Sequence, residues 1–171
     1  MATLHHNISG ELTQELLAPG NNVKLSKISL TNVQKVSKCK VDLYINRVAG
    51  EDYGKFYLLK GVELPIGATL IYDDIKFNNA VYGLYIKLTD GATFTLTGSI
   101  DPTASTTVTG VNTLFLSEVS IGDEILVSSE TRTVSAIASD TSLTVSVATT
   151  NTANDTTPDC NPTALVDVII N

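Results

Sequence analysis

The segment 106–147 constrains the fold most, because it consists of short β-type runs separated by turn residues. The runs 107–109, 123–127, 131–136 and 142–147 are rich in Thr, Val, Ile and Leu, residues that favour a pleated surface or its buried face. Gly, Ser and Asp separate them at the spacing of short hairpin connections. The segment therefore predicts a complete small β unit.

The rest of the chain also predicts strands, and no amphipathic helical pattern persists in it beyond a few residues. The predicted strands of the first half are 23–30, with a bulge at Lys27, 41–45, 55–59, the short edge piece 62–67, 68–72, 81–88 and 93–96. Several short strands separated by Gly, Pro, Asn and Asp are typical of an antiparallel sandwich. We predict an all-β protein of this kind.

The last strand decides the domain organisation. Residues 164–170 are strongly apolar and follow a segment, 151–162, that is rich in Asn, Asp, Thr and Pro. A lone strand does not fold by itself, so the simplest prediction is that it returns to the first sandwich. The sandwich would then comprise 23–96 plus 163–171, with a small β-barrel-like domain, 97–162, inserted before the last strand. The alternative is a tandem pair of domains in which the last strand serves the second.

The N-terminal residues 1–22 are predicted to be an arm that becomes ordered on a neighbouring molecule. They contain neither the basic start nor the apolar stretch of a signal peptide. The longest apolar runs of the chain are far shorter than a membrane span, so no membrane association is expected.

Charge is unevenly distributed along the chain. Residues 1–87 carry a net charge of +2 and residues 88–171 carry −9, which together give −7. An acidic, threonine-rich half is a poor surface for nucleic acid, because binding depends on neutralising phosphates. The first half has a basic cluster that includes Lys24, Lys27, Lys35 and Lys38. These lysines either protect strand edges from unwanted pairing or form a docking face for an acidic partner.

All six tyrosines fall between positions 44 and 85. In strands, Tyr57, Tyr72 and Tyr85 could line one face of the sandwich. They are either half-buried residues whose hydroxyls reach the rim, or a contact surface for another protein, since Tyr is enriched at interfaces. A third interpretation is a platform on which a sugar stacks.

No pattern of catalytic, cofactor-binding or metal-binding residues is found, and we expect neither an enzyme nor a cofactor. His5 and His6 are neighbours in a predicted strand, so they point to opposite faces and do not share a metal easily. The carboxylate pair at Asp123 and Glu124 reads more simply as part of a turn than as a calcium site. Cys39 and Cys160 are predicted to be buried free thiols, with a disulfide as the alternative if the two ends of the chain meet.

Two sets of motifs resemble known phage proteins. The first is similar to small β-sandwich virion proteins of tailed phages, especially those of marine and cyanobacterial phages, and consists of K-I-S-L-T-N (27–32), V-D-L-Y-I (41–45), F-Y-L-L-K-G-V-E-L-P-I-G-A-T-L (56–70), F-N-N-A-V-Y-G-L-Y-I-K (77–87) and V-D-V-I-I (166–170). The second resembles a module of phage tail, fibre and baseplate proteins, and consists of V-T-G-V-N-T-L-F (108–115), I-G-D-E-I (121–125) and E-T-R-T-V-S-A-I-A-S-D-T-S-L-T-V (130–145).

The resemblance implies a non-enzymatic structural component of a virion, assembled in the host cytoplasm. The expected role is that of a capsid decoration or accessory protein that docks through its sandwich domain, forms a homo-oligomer and contacts other virion proteins. The alternatives are a tail, baseplate or fibre-attachment protein, or a glycan-binding adsorption module. A glycan site on the insert would need exposed aromatic residues there, and Phe115 is expected to lie in the core.

Overall fold

A computed structural model describes residues 3–48, 53–73 and 75–171. The chain divides into two compact units. The sandwich unit contains the described residues of 1–34 and 38–90 together with 164–171. The threonine-rich unit contains 35–37 and 91–163, so most of it lies in sequence before the last strand.

Fifteen strands and one short helix are found in the described residues. They are β1 (Leu4–Ser9), β2 (Gln14–Leu17), β3 (Lys27–Asn32), β4 (Cys39–Asn46), β5 (Phe56–Leu64), β6 (Thr69–Asp73), β7 (Gly83–Thr89), β8 (Phe94–Thr95), β9 (Ser99–Pro102), β10 (Thr107–Val111), α1 (Phe115–Glu118), β11 (Glu124–Val127), β12 (Glu130–Ser139), β13 (Ser142–Val145), β14 (Asp159–Asn161) and β15 (Leu165–Ile170). No helix among these residues is long and apolar enough to cross a membrane.

The sandwich unit consists of two four-stranded antiparallel sheets. The first sheet has the order β1-β15-β3-β6, and the second has the order β2-β7-β4-β5. Both sheets contribute to one apolar core, because alternate residues of a strand point to the same face. Ile28 and Leu30 of β3 and Val168 of β15 are buried in it from the first sheet, and Leu43 and Ile86 from the second. The predicted all-β antiparallel sandwich is therefore confirmed.

Three details of the first half differ from the prediction. Residues of the predicted arm form β1 and β2, which pair with β15 and β7, so residues 4–9 and 14–17 are ordered within the chain itself; residues 1 and 2 lie outside the described residues. The predicted edge piece 62–67 is in part the end of one long strand, β5, whose register shifts where it passes β4. The predicted bulge at Lys27 is absent, since β3 pairs with both neighbours without a shift.

The threonine-rich unit contains one seven-stranded antiparallel sheet with the order β8-β14-β11-β12-β13-β10-β9. Its own core includes Phe115, Ile125 and Leu143. An isolated bridge also joins Ile100 to Asp155. The predicted strands of this unit form, whereas β9 and β14 were not predicted. β14 lies in the segment 151–162, whose Asn, Asp, Thr and Pro residues indicated a connection between strands. The barrel-like form of the unit stays a prediction.

Phe94 and Thr95 belong to this second sheet and not to the sandwich, contrary to the predicted boundary at residue 96. They pair with Cys160 and Asp159 of β14. The sequence of this segment fits a strand of either sheet equally well, so only the observed pairing assigns it to one of the two sheets. The sandwich unit ends its first part at Asp90.

A hydrogen bond joins the two points at which the chain leaves and re-enters the sandwich unit. The backbone N–H of Ala164 donates to the Asp90 carboxylate at 2.6 Å. Burial raises the pKa of Asp90 above its ordinary 3.8, the bond from Ala164 lowers it by less, and the charge of Glu11 raises it further. Because exit and re-entry lie side by side, a long segment between them is tolerated within one sandwich.

Candidate protein interface on the sandwich unit

The outward face of the second sheet carries a cluster of tyrosines at its centre. β4 lies between β7 and β5, and its register with β5 shifts on either side of Leu43. Leu43 is in the core, and its neighbour Tyr44 is therefore on the opposite face. The cross-strand partners of Tyr44 are Tyr57 on β5 and Tyr85 on β7.

The three rings of this tyrosine cluster (Tyr44, Tyr57 and Tyr85) are in contact. The Tyr44 and Tyr85 ring centroids are 5.8 Å apart at an interplanar angle of 24°, and those of Tyr44 and Tyr57 are 5.5 Å apart at 52°. Aromatic pairs at such separations contribute about 0.5–1.5 kcal/mol beyond the area that they bury. The contact with Tyr44 therefore holds the Tyr57 ring, the exposed ring of the three, in a fixed position.

Two of the hydroxyls are bonded inside the unit. Tyr44 bonds the Thr13 hydroxyl at 3.3 Å, and Tyr85 donates to the Glu15 carboxylate at 3.1 Å. Tyr85 is only 1% exposed. Its burial, with the bond to Glu15 as the next cause, raises the pKa of Tyr85 to about 12. Tyr85 is thus a supporting residue, and it is not available to a partner.

Cationic side chains cover two of these rings. The Lys60 ammonium lies 3.8 Å from the centroid of Tyr57, and the Lys55 ammonium lies 5.1 Å from that of Tyr44. Such cation–π contacts are worth about 0.5–1 kcal/mol at exposed sites. The Lys60 charge therefore lies against Tyr57, which is 40% exposed.

A second aromatic group lies at one end of the same sheet. Phe56 and Tyr82 meet edge to face with centroids 5.8 Å apart, and the Arg47 guanidinium lies 5.3 Å from the Tyr82 ring. Arg47 also donates to the Tyr82 hydroxyl at 3.4 Å. These side chains, with Val48 and Tyr53, line a cleft of about 340 Å³.

The exposure of this second group is unusual for aromatic residues. Tyr53 is 90% exposed and Phe56 is 56% exposed. We call Arg47, Tyr53, Phe56 and Tyr82, which line this cleft, the aromatic surface. Tyr57, the next residue after Phe56 on β5, points to the opposite face of the sheet. Aromatic residues and Arg are enriched at protein interfaces and dominate binding energy there. The positive charge of Arg47 favours an acidic partner.

The predicted lysines are not brought together. Lys24 lines a separate cleft of about 620 Å³ with Leu25, Lys76 and Phe77. Lys27 is opposite Asp73 on the neighbouring strand, and Lys38 forms an exposed ion pair with Glu63 at 2.9 Å. Such a surface pair contributes little to stability.

Lys35 is assigned to the threonine-rich unit. Of the predicted tyrosines, the structure joins Tyr57 and Tyr85 through Tyr44. Tyr72 lies on β6 of the first sheet and packs partly against the core. The three tyrosines therefore do not line one face.

Arg47 and Phe56 were missed by the sequence reasoning. The signal available was that Arg47 is the one arginine of the first half and that Phe56 begins a strand with Tyr57. The alternation of the strand could not show that Phe56 meets Tyr82, because these residues are 26 positions apart and join only when β4, β5 and β7 pair. Tyr53 and Tyr82 were noted as tyrosines but not as a site.

Reactive groups elsewhere serve structural roles. Cys39 and Cys160 are free and buried, as predicted. Burial is the main cause that raises the pKa of Cys39 to about 11 and that of Cys160 to about 12. The Asp123 carboxylate, 1% exposed, accepts the backbone N–H groups of Ser120 at 2.7 Å and Thr163 at 3.0 Å. Among residues 3–48, 53–73 and 75–171, no three His, Cys, Asp or Glu side chains lie close enough together to hold a metal ion.

Comparison with known proteins adds no family assignment. The chain matches no protein-family model. No curated protein matches it either.

Proposed function

We propose that this protein is a non-enzymatic structural component of a tailed-phage virion that docks onto neighbouring virion proteins through its sandwich unit. The observation that carries the proposal is the aromatic surface, in which exposed rings and the stacked Arg47 guanidinium line a cleft at one end of the second sheet. The assignment of the protein to the virion proteins rests on the resemblance of the strand motifs to small phage sandwich proteins. Within that class, a capsid decoration or accessory role is preferred.

The aromatic surface supports docking because several of its side chains are held in place before it binds. Tyr82 contacts both Phe56 and Arg47. A partner that covers these side chains does not have to immobilise them, so little conformational entropy is lost on binding. We expect an acidic loop of the neighbouring subunit to contact Arg47.

The chemistry of the remaining side chains supports a role without catalysis. Both thiols are buried and have raised pKa values, so neither is a nucleophile at neutral pH. The Phe115 ring of the threonine-rich unit is fully buried, which removes it as a platform for a sugar.

The test is to locate the chain on particles. Gradient-purified phage from the source of this sequence would be analysed by peptide mass spectrometry and by immunogold labelling with an antibody to the purified chain. Label on the head is the expected result. Label on the tail would replace decoration by the tail or baseplate role, and absence of the chain from particles would refute the virion proposal.

The aromatic surface is tested separately by adding variant chains to particles that lack the protein. The variants Arg47→Ala and Phe56→Ser should each weaken binding roughly tenfold or more, because anchors of this kind dominate interfaces. Leu12→Ser is the matched control, since Leu12 is 81% exposed and lies outside the aromatic surface. Equal binding by all three variants would refute this surface as the docking site.

A further inference from the structure

The four edge strands of the sandwich unit differ in how well they are protected. The edges are β1 and β6 in the first sheet and β2 and β5 in the second. β5 contains Lys60 and a glycine at positive φ, and its register is irregular; β2 has four residues and a register shift. Such features discourage pairing with another chain. β1 is regular, but its outward residues are polar, namely His5, Asn7 and Ser9.

β6 is the least protected of the four, and its one charged residue, Asp73, stands at its end. It contains no Lys, Pro or Gly, and it pairs with β3 over five residues without a shift. Ile71, at its centre, is 57% exposed on the outward face of the sheet. On the other face, Leu70 and Tyr72 pack only partly against the core. A regular edge strand with exposed apolar residues is a site for strand pairing.

The hydrogen bonds to β3 show which backbone groups of β6 face outward. The Asn32 N–H donates to the Ala68 carbonyl at 3.0 Å, which marks that position as hydrogen-bonded. Because bonded and non-bonded positions alternate in an antiparallel pair, Leu70 and Tyr72 carry the next bonds to β3. The N–H and C=O groups of Thr69, Ile71 and Asp73 therefore point to the open edge.

We propose that β6 pairs antiparallel with β6 of a second copy of this chain, about a two-fold axis at Ile71. In this register Ile71 faces its own symmetry mate, and Thr69 faces Asp73 of the other copy. The N–H and C=O groups of Thr69, Ile71 and Asp73 then all point to the other copy. The three facing pairs form about six hydrogen bonds. The two first sheets become one continuous sheet.

The side chains fit this occupant and this register. The two Ile71 side chains pack together on the outward face, and Leu70 meets the Tyr72 of the other copy on the core side. Asp73 faces a threonine, whereas a register centred at residue 73 would place the two Asp73 carboxylates opposite each other. Like charges directly opposite are destabilising, so the register centred at Ile71 is favoured. An interface in which one patch meets itself closes as a dimer.

The pairing is independent of the virion role and of the aromatic surface, which lies on the other sheet. A five-residue strand pair is small beside the roughly 800 Å² per partner of a standard interface. We therefore expect a dimer that dissociates on the order of micromolar to hundred-micromolar concentrations.

Cross-linking tests the register. In a bonded antiparallel pair the facing Cα atoms are about 5.5 Å apart, a separation that a disulfide spans. Ile71→Cys should thus form a disulfide-linked dimer under mild oxidation. Thr69→Cys alone should not, because its two copies would lie roughly 14 Å apart. A mixture of Thr69→Cys and Asp73→Cys chains should cross-link to each other.

The control is Leu12→Cys, an exposed thiol away from β6; the native thiols are buried and do not compete. Cross-linking of Ile71→Cys no faster than Leu12→Cys would overturn the proposal. Cross-linking of Thr69→Cys with itself as fast as Ile71→Cys would overturn the register.

A second measurement needs no new thiol. Backbone amides of residues 69, 71 and 73 should exchange with solvent rapidly at low protein concentration and more slowly at high concentration. Ile71→Pro removes an outward N–H and no bond to β3, so the sandwich should still fold while the dimer is lost. Protection that is independent of concentration, or a dimer that survives Ile71→Pro in light scattering, would overturn the pairing.

Discussion

Asp123→Ala should destabilise the threonine-rich unit strongly, although no active site involves this residue. The Asp123 carboxylate is buried and accepts two backbone N–H groups, from Ser120 and Thr163. Removing the carboxylate leaves these two N–H groups without an acceptor, and each unsatisfied buried polar group destabilises the folded state by roughly 1–3 kcal/mol. Two such groups lower the free energy of unfolding by about 2–6 kcal/mol, a large part of the 5–15 kcal/mol that a typical protein has.

The chain supplies a separate probe for each unit. Cys39 is buried in the sandwich unit and Cys160 in the threonine-rich unit, and both thiols are free. Alkylation followed by peptide mass spectrometry measures how often each thiol is exposed by opening. Asp123→Ala should accelerate labelling of Cys160 by roughly thirtyfold or more, since each 1.4 kcal/mol corresponds to a factor of ten. The rate is compared after correction for the thiol pKa of each variant, because the Asp123 carboxylate contacts the Cys160 thiol at 3.9 Å and raises its pKa. Cys39 should be labelled at its original rate.

Glu124→Ala is the matched control for this experiment. Glu124 is the next residue, carries the same charge and is exposed. Its replacement should change the free energy of unfolding by no more than about 0.5 kcal/mol. Similar rates for both variants would refute the role given to the buried carboxylate, and equal acceleration at Cys39 would refute the confinement of the effect to one unit.

Two other predictions concern the point at which the threonine-rich unit interrupts the sandwich. The pKa of Asp90 is raised, so its charge opposes folding; the stabilising contribution of its neutral form is fully present below about pH 3.8 and is lost as pH rises through the raised pKa. Asp90→Asn keeps an oxygen acceptor for the Ala164 N–H but removes the charge. Its urea midpoint should therefore exceed that of the wild type at pH 7, and the two midpoints should converge below pH 3.8. A lower midpoint for Asp90→Asn at pH 7 would contradict this prediction. Replacing 91–163 by a short Gly-Ser linker should leave a folded sandwich, because Asp90 and Ala164 are hydrogen-bonded. Circular dichroism and the near-ultraviolet signal of the tyrosines test this, and an unfolded or aggregated product would contradict it.

The tyrosine signal is specific in that last experiment because of the composition. The chain has no Trp, and all six tyrosines lie between residues 44 and 85. Retained near-ultraviolet signal in the shortened chain therefore reports packing of the sandwich unit alone.

The candidate interface was only partly predictable. Tyr57 could be singled out because it belongs to a strand that alternates, and the structure leaves it exposed. Tyr85 has the same pattern but is buried, because Tyr44 and Glu15 contact it from other strands. Alternation assigns a residue to a face, whereas burial depends on which strands lie beside it.

The all-β class, the positions of most strands and the distinct threonine-rich segment could be predicted from local sequence patterns. These features depend on local properties: alternation, β-branched residues and the turn residues between runs. Three other features became known from strand pairing in the folded chain: residues 4–9 pair with the last strand, Phe94 joins the second unit and β6 is an open edge. Each of these depends on pairing between segments that are distant in sequence, where many registers have similar local patterns and the choice is made by the whole core.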